Sequence, residues 1–181
     1  MKLALFGGSF DPPHAGHVGV VNEALKILPV DRLIVVPAAR NPFKASVRAS
    51  GEARYGWLKR IFASYEKVEI SDFEISQRRS VYTIETVRHY LNRCDELYLI
   101  IGADNLASLK QWHAFGELNA AVRWVVATRG ETPVPEGMIP LRVNVPVSST
   151  DFRNRFAPLG LESNIENEII TYYKELNESE N

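Results

Sequence analysis

The chain has 181 residues, 45 % of them hydrophobic, which suits one domain with a sizeable core and excludes a disordered chain. Its formal net charge is -1, so no basic excess points to a nucleic-acid partner. The single cysteine, Cys94, makes no internal disulfide, and no apolar run reaches the length of a membrane span; the expectation is a cytoplasmic enzyme or binding protein with no membrane partner.

Lys2 to Phe6 predicts a short buried strand, too brief for a signal-peptide core, ending at Gly7-Gly8. Asp11-Pro12-Pro13 then breaks the chain. From Gly16 onward Val20, Val21, Ala24, Ile27 and Leu28 recur at helical spacing until Pro29. Leu33 to Val36 reads as the next strand, followed by a polar loop from Pro37 to about Ser50. Glu52 to Tyr65 predicts a helix with Trp57, Leu58, Ile61 and Phe62 as its apolar stripe. Val68 to Ile70 is a strand, Ser76 to Ser80 a polar stretch whose Arg78 and Arg79 read as a solvated patch or as steering an anionic ligand toward the cleft, and helix resumes at about Thr83.

Leu97 to Ile101 is the most apolar strand and ends at Gly102. Asn105 to Trp112 reads as helix, Trp124 to Ala127 as strand, Glu131 to Pro140 as loop, and Leu141 to Val145 as the last strand. Ser149 to Phe156 and Ile165 to Leu176 close the chain as helices, with a frayed tail from Asn177. This alternation predicts an α/β fold, a doubly wound parallel sheet with helices on both faces and a small C-terminal helical element, in one domain over 1–181. Ligands in such sheets bind at the carboxyl ends of the strands.

The most informative segment joins the first strand to the first helix: Gly7-Gly8-Ser9-Phe10-Asp11-Pro12-Pro13-His14-Ala15-Gly16-His17. Glycines let backbone approach a ligand closely, and a helix N-terminus offers unpaired N–H groups to a phosphate. His14 and His17, three residues apart, would project from one side of a helical turn, each able to donate to phosphate oxygens and, if protonated, to add charge. Gly16, a poor helix former, makes sense if a base or ribose packs there. No third ligand lies near, which weighs against a metal; the turn also lacks the ending of a P-loop and the spacing of a dinucleotide fingerprint.

Ser149, with Ser148 and Thr150 beside it, is a natural N-cap that can double as an anion site. Asp104, at the end of the most apolar strand, can accept from ribose hydroxyls or cap the next helix. Trp112 can stack on an aromatic ligand or pack in the core.

Gly7-Gly8, Phe10-Asp11-Pro12 and His14-x-Gly16-His17 resemble the signature of the HxGH nucleotidyltransferase superfamily, and Ser148-Ser149-Thr150-Asp151-Phe152-Arg153 its C-terminal element. The resemblance implies a Rossmann-like nucleotidyltransferase fold. It implies that His14 and His17 hold the phosphates of ATP and the transition state at the α-phosphorus, helped by Lys44. ATP would also meet Gly7, Gly8, Ser9, Phe10, Gly102, Asp104, Ser149, Thr150 and Arg153. Tyr82-Thr83, Gly102-x-Asp104 and Trp112 together resemble the bacterial nicotinate-nucleotide adenylyltransferases. There the tryptophan stacks on the nicotinate ring, and main-chain N–H groups and the threonine bind its carboxylate. That places Asn41, Tyr82, Thr83, Trp112 and His113 on the acceptor, although Phe43 and Val81 stand where relatives carry histidine and serine.

The implied reaction is attack of a nicotinate mononucleotide phosphate oxygen on ATP, releasing pyrophosphate. Mg2+ would enter on the ATP phosphates, without dedicated protein ligands, in a monomer or homodimer. Two other readings stay open: a different acceptor, nicotinamide mononucleotide or phosphopantetheine, or a nucleotide-sensing module without turnover.

Overall fold

The computed structural model describes residues 1–39 and 47–180. Six strands form one sheet: β1 (Lys2–Gly8), β2 (Arg32–Pro37), β3 (Val68–Ile70), β4 (Glu96–Gly102), β5 (Arg123–Thr128) and β6 (Ile139–Arg142). Their order is β3-β2-β1-β4-β5-β6 and every neighbouring pair is parallel. Parallel neighbours require crossovers, and these supply the helices: α1 (Ala15–Ile27), α2 (Gly51–Ile61), α3 (Phe73–Ser76), α4 (Thr83–Leu91), α5 (Phe115–Ala121), α6 (Ser149–Arg155) and α7 (Ser163–Ser179).

Side-chain alternation divides the core into two layers. Ala4 and Phe6 of β1 pack with Val20, Val21 and Ala24 of α1 and Leu58 of α2 on one face. Leu3 and Leu5 pack with Ile84, Val87 and Tyr90 of α4 and Leu118 of α5 on the other. This is the doubly wound arrangement the sequence predicts. A third cluster joins Trp57 of α2 and Phe152 of α6 to Ile165, Ile169 and Tyr173 of α7, making the C-terminal helical element. No helix among the described residues is long and apolar enough to cross a membrane.

Several boundaries differ from the sequence reading. Asn105 to Trp112 is not one helix but two 3-10 turns, Ala103–Asn105 and Leu109–Gln111. The short helices α3 and α5 are not visible as helices in the sequence, because one or two turns hold too few residues to show a period. The last strand starts two residues earlier than expected and contains Pro140, which an edge strand tolerates. The tail is helical to Ser179, and Arg48 donates there to Asn177 Oδ1 at 2.7 Å and Glu180 Oε2 at 2.9 Å.

Strand order reverses between β1 and β4, since β1 lies beside both β2 and β4 while their connections run to opposite faces. The carboxyl ends of those two strands, Gly7-Gly8 and Gly102, therefore flank the crevice where such sheets bind ligands.

Candidate active site

After β1 the backbone turns through Ser9 and Phe10 to His14, the N-cap of α1. His14 is extended, not helical, with φ -154° and ψ 172°. Its Nδ1 accepts from Gly16 N at 3.0 Å, and His17 Nδ1 accepts from His14 N at 3.1 Å. Two imidazoles thus form a capping box, a job usually done by a hydroxyl and a carboxylate. The rings stack with centroids 3.7 Å apart and planes 25° from parallel. The three-residue spacing does bring them together, but through the cap rather than a shared helix face.

The cap also sets their chemistry. An Nδ1 that accepts a backbone N–H leaves the proton of a neutral ring on Nε2, so both rings have Nε2–H to donate. His14 is 6 % exposed, and burial, with the charge of Arg129 acting the same way, pushes its pKa down to about 4. It is a neutral donor near pH 7, and the expectation of added charge is not met there. Positive charge comes instead from Arg129, just past β5, whose Nη2 donates to Val147 O at 2.8 Å. The sequence reading missed it; its place two residues past a predicted strand was the available signal.

The glycines differ in their reasons. A Cβ at Gly16 would come within 2.8 Å of the His14 ring, so glycine there makes room for the imidazole. A Cβ at Gly8 would approach the Phe10 ring at 3.2 Å, whereas one at Gly7 would meet only Val36 O at 3.9 Å. Phe10 itself is buried at φ 48°, in the left-handed region, edge-on to Phe6 at 5.4 Å and to His17 at 4.7 Å. Its ring supports His17 from within the core, which leaves its backbone as the part that can face a nucleotide.

The N-terminus of α6 is tied to this turn. Ser148, not Ser149, is the N-cap, accepting from Asp151 N at 3.0 Å. Ser149 Oγ donates to Pro12 O at 2.8 Å, and Arg153 Nη1 to Asp11 O at 2.5 Å. Arg153 Nη2 also donates to Thr150 Oγ1 at 3.3 Å. The two motifs, more than 130 residues apart, are therefore stitched together by the residues expected on ATP.

Beneath them, the buried Asp11 carboxylate accepts from Arg48 N and Ala49 N at 2.9 Å each and from the Tyr173 hydroxyl, whose pKa burial pushes upward. Arg54 of α2, fully buried, donates to Ser9 O at 2.7 Å and Ala49 O at 3.1 Å. Arg54 went unnoticed in the sequence, although its position three and four residues before Trp57 and Leu58 places it on the buried stripe.

On the other side of the crevice, Tyr82 precedes α4 and Glu85 Oε1 accepts from its N–H at 2.9 Å. Arg79 is not simply solvated: it donates to both oxygens of Glu85, at 3.1 and 2.6 Å. These hydrogen bonds, Arg79 first and Tyr82 N–H second, hold the Glu85 carboxyl down at about 2. The Tyr82 ring, 48 % exposed, stacks on His113 at 4.4 Å. Trp112 packs along the second core layer, 6.4 Å from Trp124 ring to ring.

Gly102 ends β4, and Asp104 lies exposed inside the following 3-10 turn. Asp104 is not its cap; Asn105 Nδ2 donates to Gly102 O at 3.2 Å instead. Thr83 lines a cavity of about 40 Å³ with Gly7, Val36, Thr86 and Glu74 of α3. Glu74, also missed in the sequence, is 9 % exposed, accepts from Thr86 Oγ1 at 2.6 Å, and is pushed up to about 7 by burial. Asn41 and Lys44 lie outside the described residues.

The sequence profile of the Cytidylyltransferase-like family matches residues 5–155. A protein of Sulfurimonas denitrificans named "Probable nicotinate-nucleotide adenylyltransferase" is 43 % identical over 173 residues, covering 96 % of this chain and 95 % of its own. One of the same name from Campylobacter jejuni is 43 % identical over 178 residues, covering 97 % and 98 %. The solved structure of Plasmodium falciparum nicotinic acid mononucleotide adenylyltransferase complexed with NaAD aligns over 97 % of this chain and 96 % of its own, with a TM-score of 0.73. At 18 % identity that likeness concerns the fold. The chain belongs to the Cytidylyltransferase-like family, and within it to the nicotinate-nucleotide adenylyltransferases.

Proposed function

We propose that this protein transfers the AMP unit of ATP to nicotinate mononucleotide, giving deamido-NAD and pyrophosphate in NAD synthesis. The names of the relatives support this acceptor. The observation that carries the chemistry is the stacked His14–His17 pair beside the glycine corner at the strand-order switch.

In this reading the acceptor phosphate attacks the α-phosphorus directly, and no protein nucleophile takes part. His14 and His17 donate from Nε2 to phosphate oxygens as charge builds there. Both rings are already oriented by the capping box, so little reorganisation accompanies the reaction. Gly7, exposed and not required by packing, lets the triphosphate approach the backbone beside Gly8, Ser9 and Phe10. Arg129, Arg153 and Thr150 add charge and hydrogen bonds on the pyrophosphate side, where Lys44 would join them. Ser149 acts mainly by holding α6 to the Pro12 turn. Asp104, in the 3-10 turn after β4, accepts from ribose hydroxyls beside Gly102.

Trp112 stacks on the pyridine ring, with Thr83, Tyr82, His113 and Asn41 around the acceptor. Holding the two nucleotides in line can lower the barrier by roughly 7–11 kcal/mol. Mg2+ would enter on the ATP phosphates and water, where it would supply charge neutralisation. The lone Cys94 fits a reducing cytoplasm.

The test is to incubate the protein with ATP, Mg2+ and each acceptor, and to measure pyrophosphate and dinucleotide. Nicotinate mononucleotide should react fastest, ahead of nicotinamide mononucleotide and phosphopantetheine. ATP binding without pyrophosphate release would overturn the reading.

A further inference from the structure

Glu74 has no part in the mechanism above, yet it is a buried carboxyl facing the same small cavity as Thr83 and Gly7. An apolar side chain would fill that place without the cost of burying an ionisable group. Thr86 Oγ1 donates to Oε1 at 2.6 Å, leaving Oε2 to carry a proton or a negative charge.

We propose that Glu74 is a specificity-determining residue for the acceptor: protonated, it accommodates a negatively charged substituent on the pyridine ring beside Thr83, and ionised, it repels that substituent and tolerates a neutral amide. The inference rests on the acceptor placement given under Proposed function.

The surroundings make the charge consequential. Among the described residues the charged group acting on Glu74 is Glu85 of α4, which raises its pKa and is itself tied to Arg79. From β1, β2 and β4 the cavity receives Leu5, Gly7, Val36 and Leu99, none of which carries a side-chain charge. Thr83 and Thr86 of α4 are neutral hydroxyls. Among the described residues nothing in that lining screens a carboxylate from an approaching anion, and at about 7 the carboxyl changes state within the working pH range. A cavity of about 40 Å³ is also large enough for one water between the carboxyl and a ligand group.

The experiment uses the intact protein and compares nicotinate mononucleotide with nicotinamide mononucleotide from pH 6 to pH 8. The two share ribose and phosphate, so the ratio of their apparent affinities cancels the titration of the phosphate. The nicotinate preference should fall roughly tenfold over that range as Glu74 ionises. In Glu74→Gln, which keeps an acceptor for Thr86 and stays neutral, the ratio should not change with pH. A ratio independent of pH in the unmodified protein overturns the proposal, as does the same decline in Glu74→Gln. If the variant fails to fold, the ratio in the unmodified protein still decides. Absence of any turnover with nicotinate mononucleotide would be the failure of the proposed function instead, and a separate outcome.

Discussion

At the scale of single residues, the two histidines do structural and chemical work with different atoms of one ring. Nδ1 caps the helix, and in the proposed mechanism Nε2 donates to the phosphates. His17→Ala removes both, so turnover at saturating ATP should fall on the order of 100-fold or more, by analogy with loss of an oxyanion donor. Thermal or urea unfolding should report a loss of only about 1 kcal/mol, the size of a lost cap. Near-normal kcat in a folded variant would contradict the assignment. Trp112→Ala should raise the apparent KM for nicotinate mononucleotide while leaving that for ATP nearly unchanged. Because Trp112 also packs on the second core layer, Trp112→Phe is the better probe; an unchanged acceptor KM in both variants would leave Trp112 with its packing role alone.

At the scale of elements, the short helix α6 and the glycine turn form one unit whose parts are far apart in the chain. The sequence reading gives the cap to Ser149, but Ser148 caps α6 and Ser149 holds it to Pro12. Ser148→Ala should therefore cost about 1 kcal/mol of stability with a small effect on kcat. Ser149→Ala should chiefly raise the KM for ATP, read from initial rates, by letting the Thr150–Arg153 edge drift from the imidazoles. Equal kinetic effects from the two changes would show that this division is wrong. Arg54 links α2 to the carbonyl of Ser9 and sits near the buried Asp11. Arg54→Ala leaves that carboxylate with less compensation, and denaturant unfolding should show a loss of about 3–5 kcal/mol.

At the scale of the whole molecule, two buried groups pull stability in opposite directions with pH. His14 has a folded pKa of about 4, below its ordinary 6.5, so its stability contribution is present above 6.5 and lost as pH falls toward 4. Glu74 has a folded pKa of about 7, above its ordinary 4.5, so its contribution is present below 4.5 and lost as pH rises through 7. Each is worth roughly 3 kcal/mol at its limit, and between pH 4.5 and 6.5 the two slopes nearly cancel. Glu74→Gln should unmask the histidine: its unfolding midpoint should rise with pH across that interval more steeply than that of the unmodified protein, and exceed it above pH 7. Parallel pH profiles for the two proteins would show that Glu74 is not buried as an acid.

The alternating strands and helices, the glycine corner and the imidazole spacing were legible from Lys2 to His17 onward, because burial on a regular element and turn chemistry leave local patterns. The meaning of Gly16, the division of labour between Ser148 and Ser149, and the burial of Arg54, Glu74 and His14 were not. Each depends on which distant residues close around a polar group: Ser9 and Ala49 around Arg54, Thr86 and Gly7 around Glu74, Pro12 against Ser149. The sequence by itself determined the strands, the longer helices, their parallel winding and the glycine-histidine turn after β1, since those follow from propensity, period and turn chemistry over a few neighbouring residues. Only the tertiary structure decided which polar side chains lose their water, and hence which protons the site holds, because desolvation and charge coupling are set by packing across the chain.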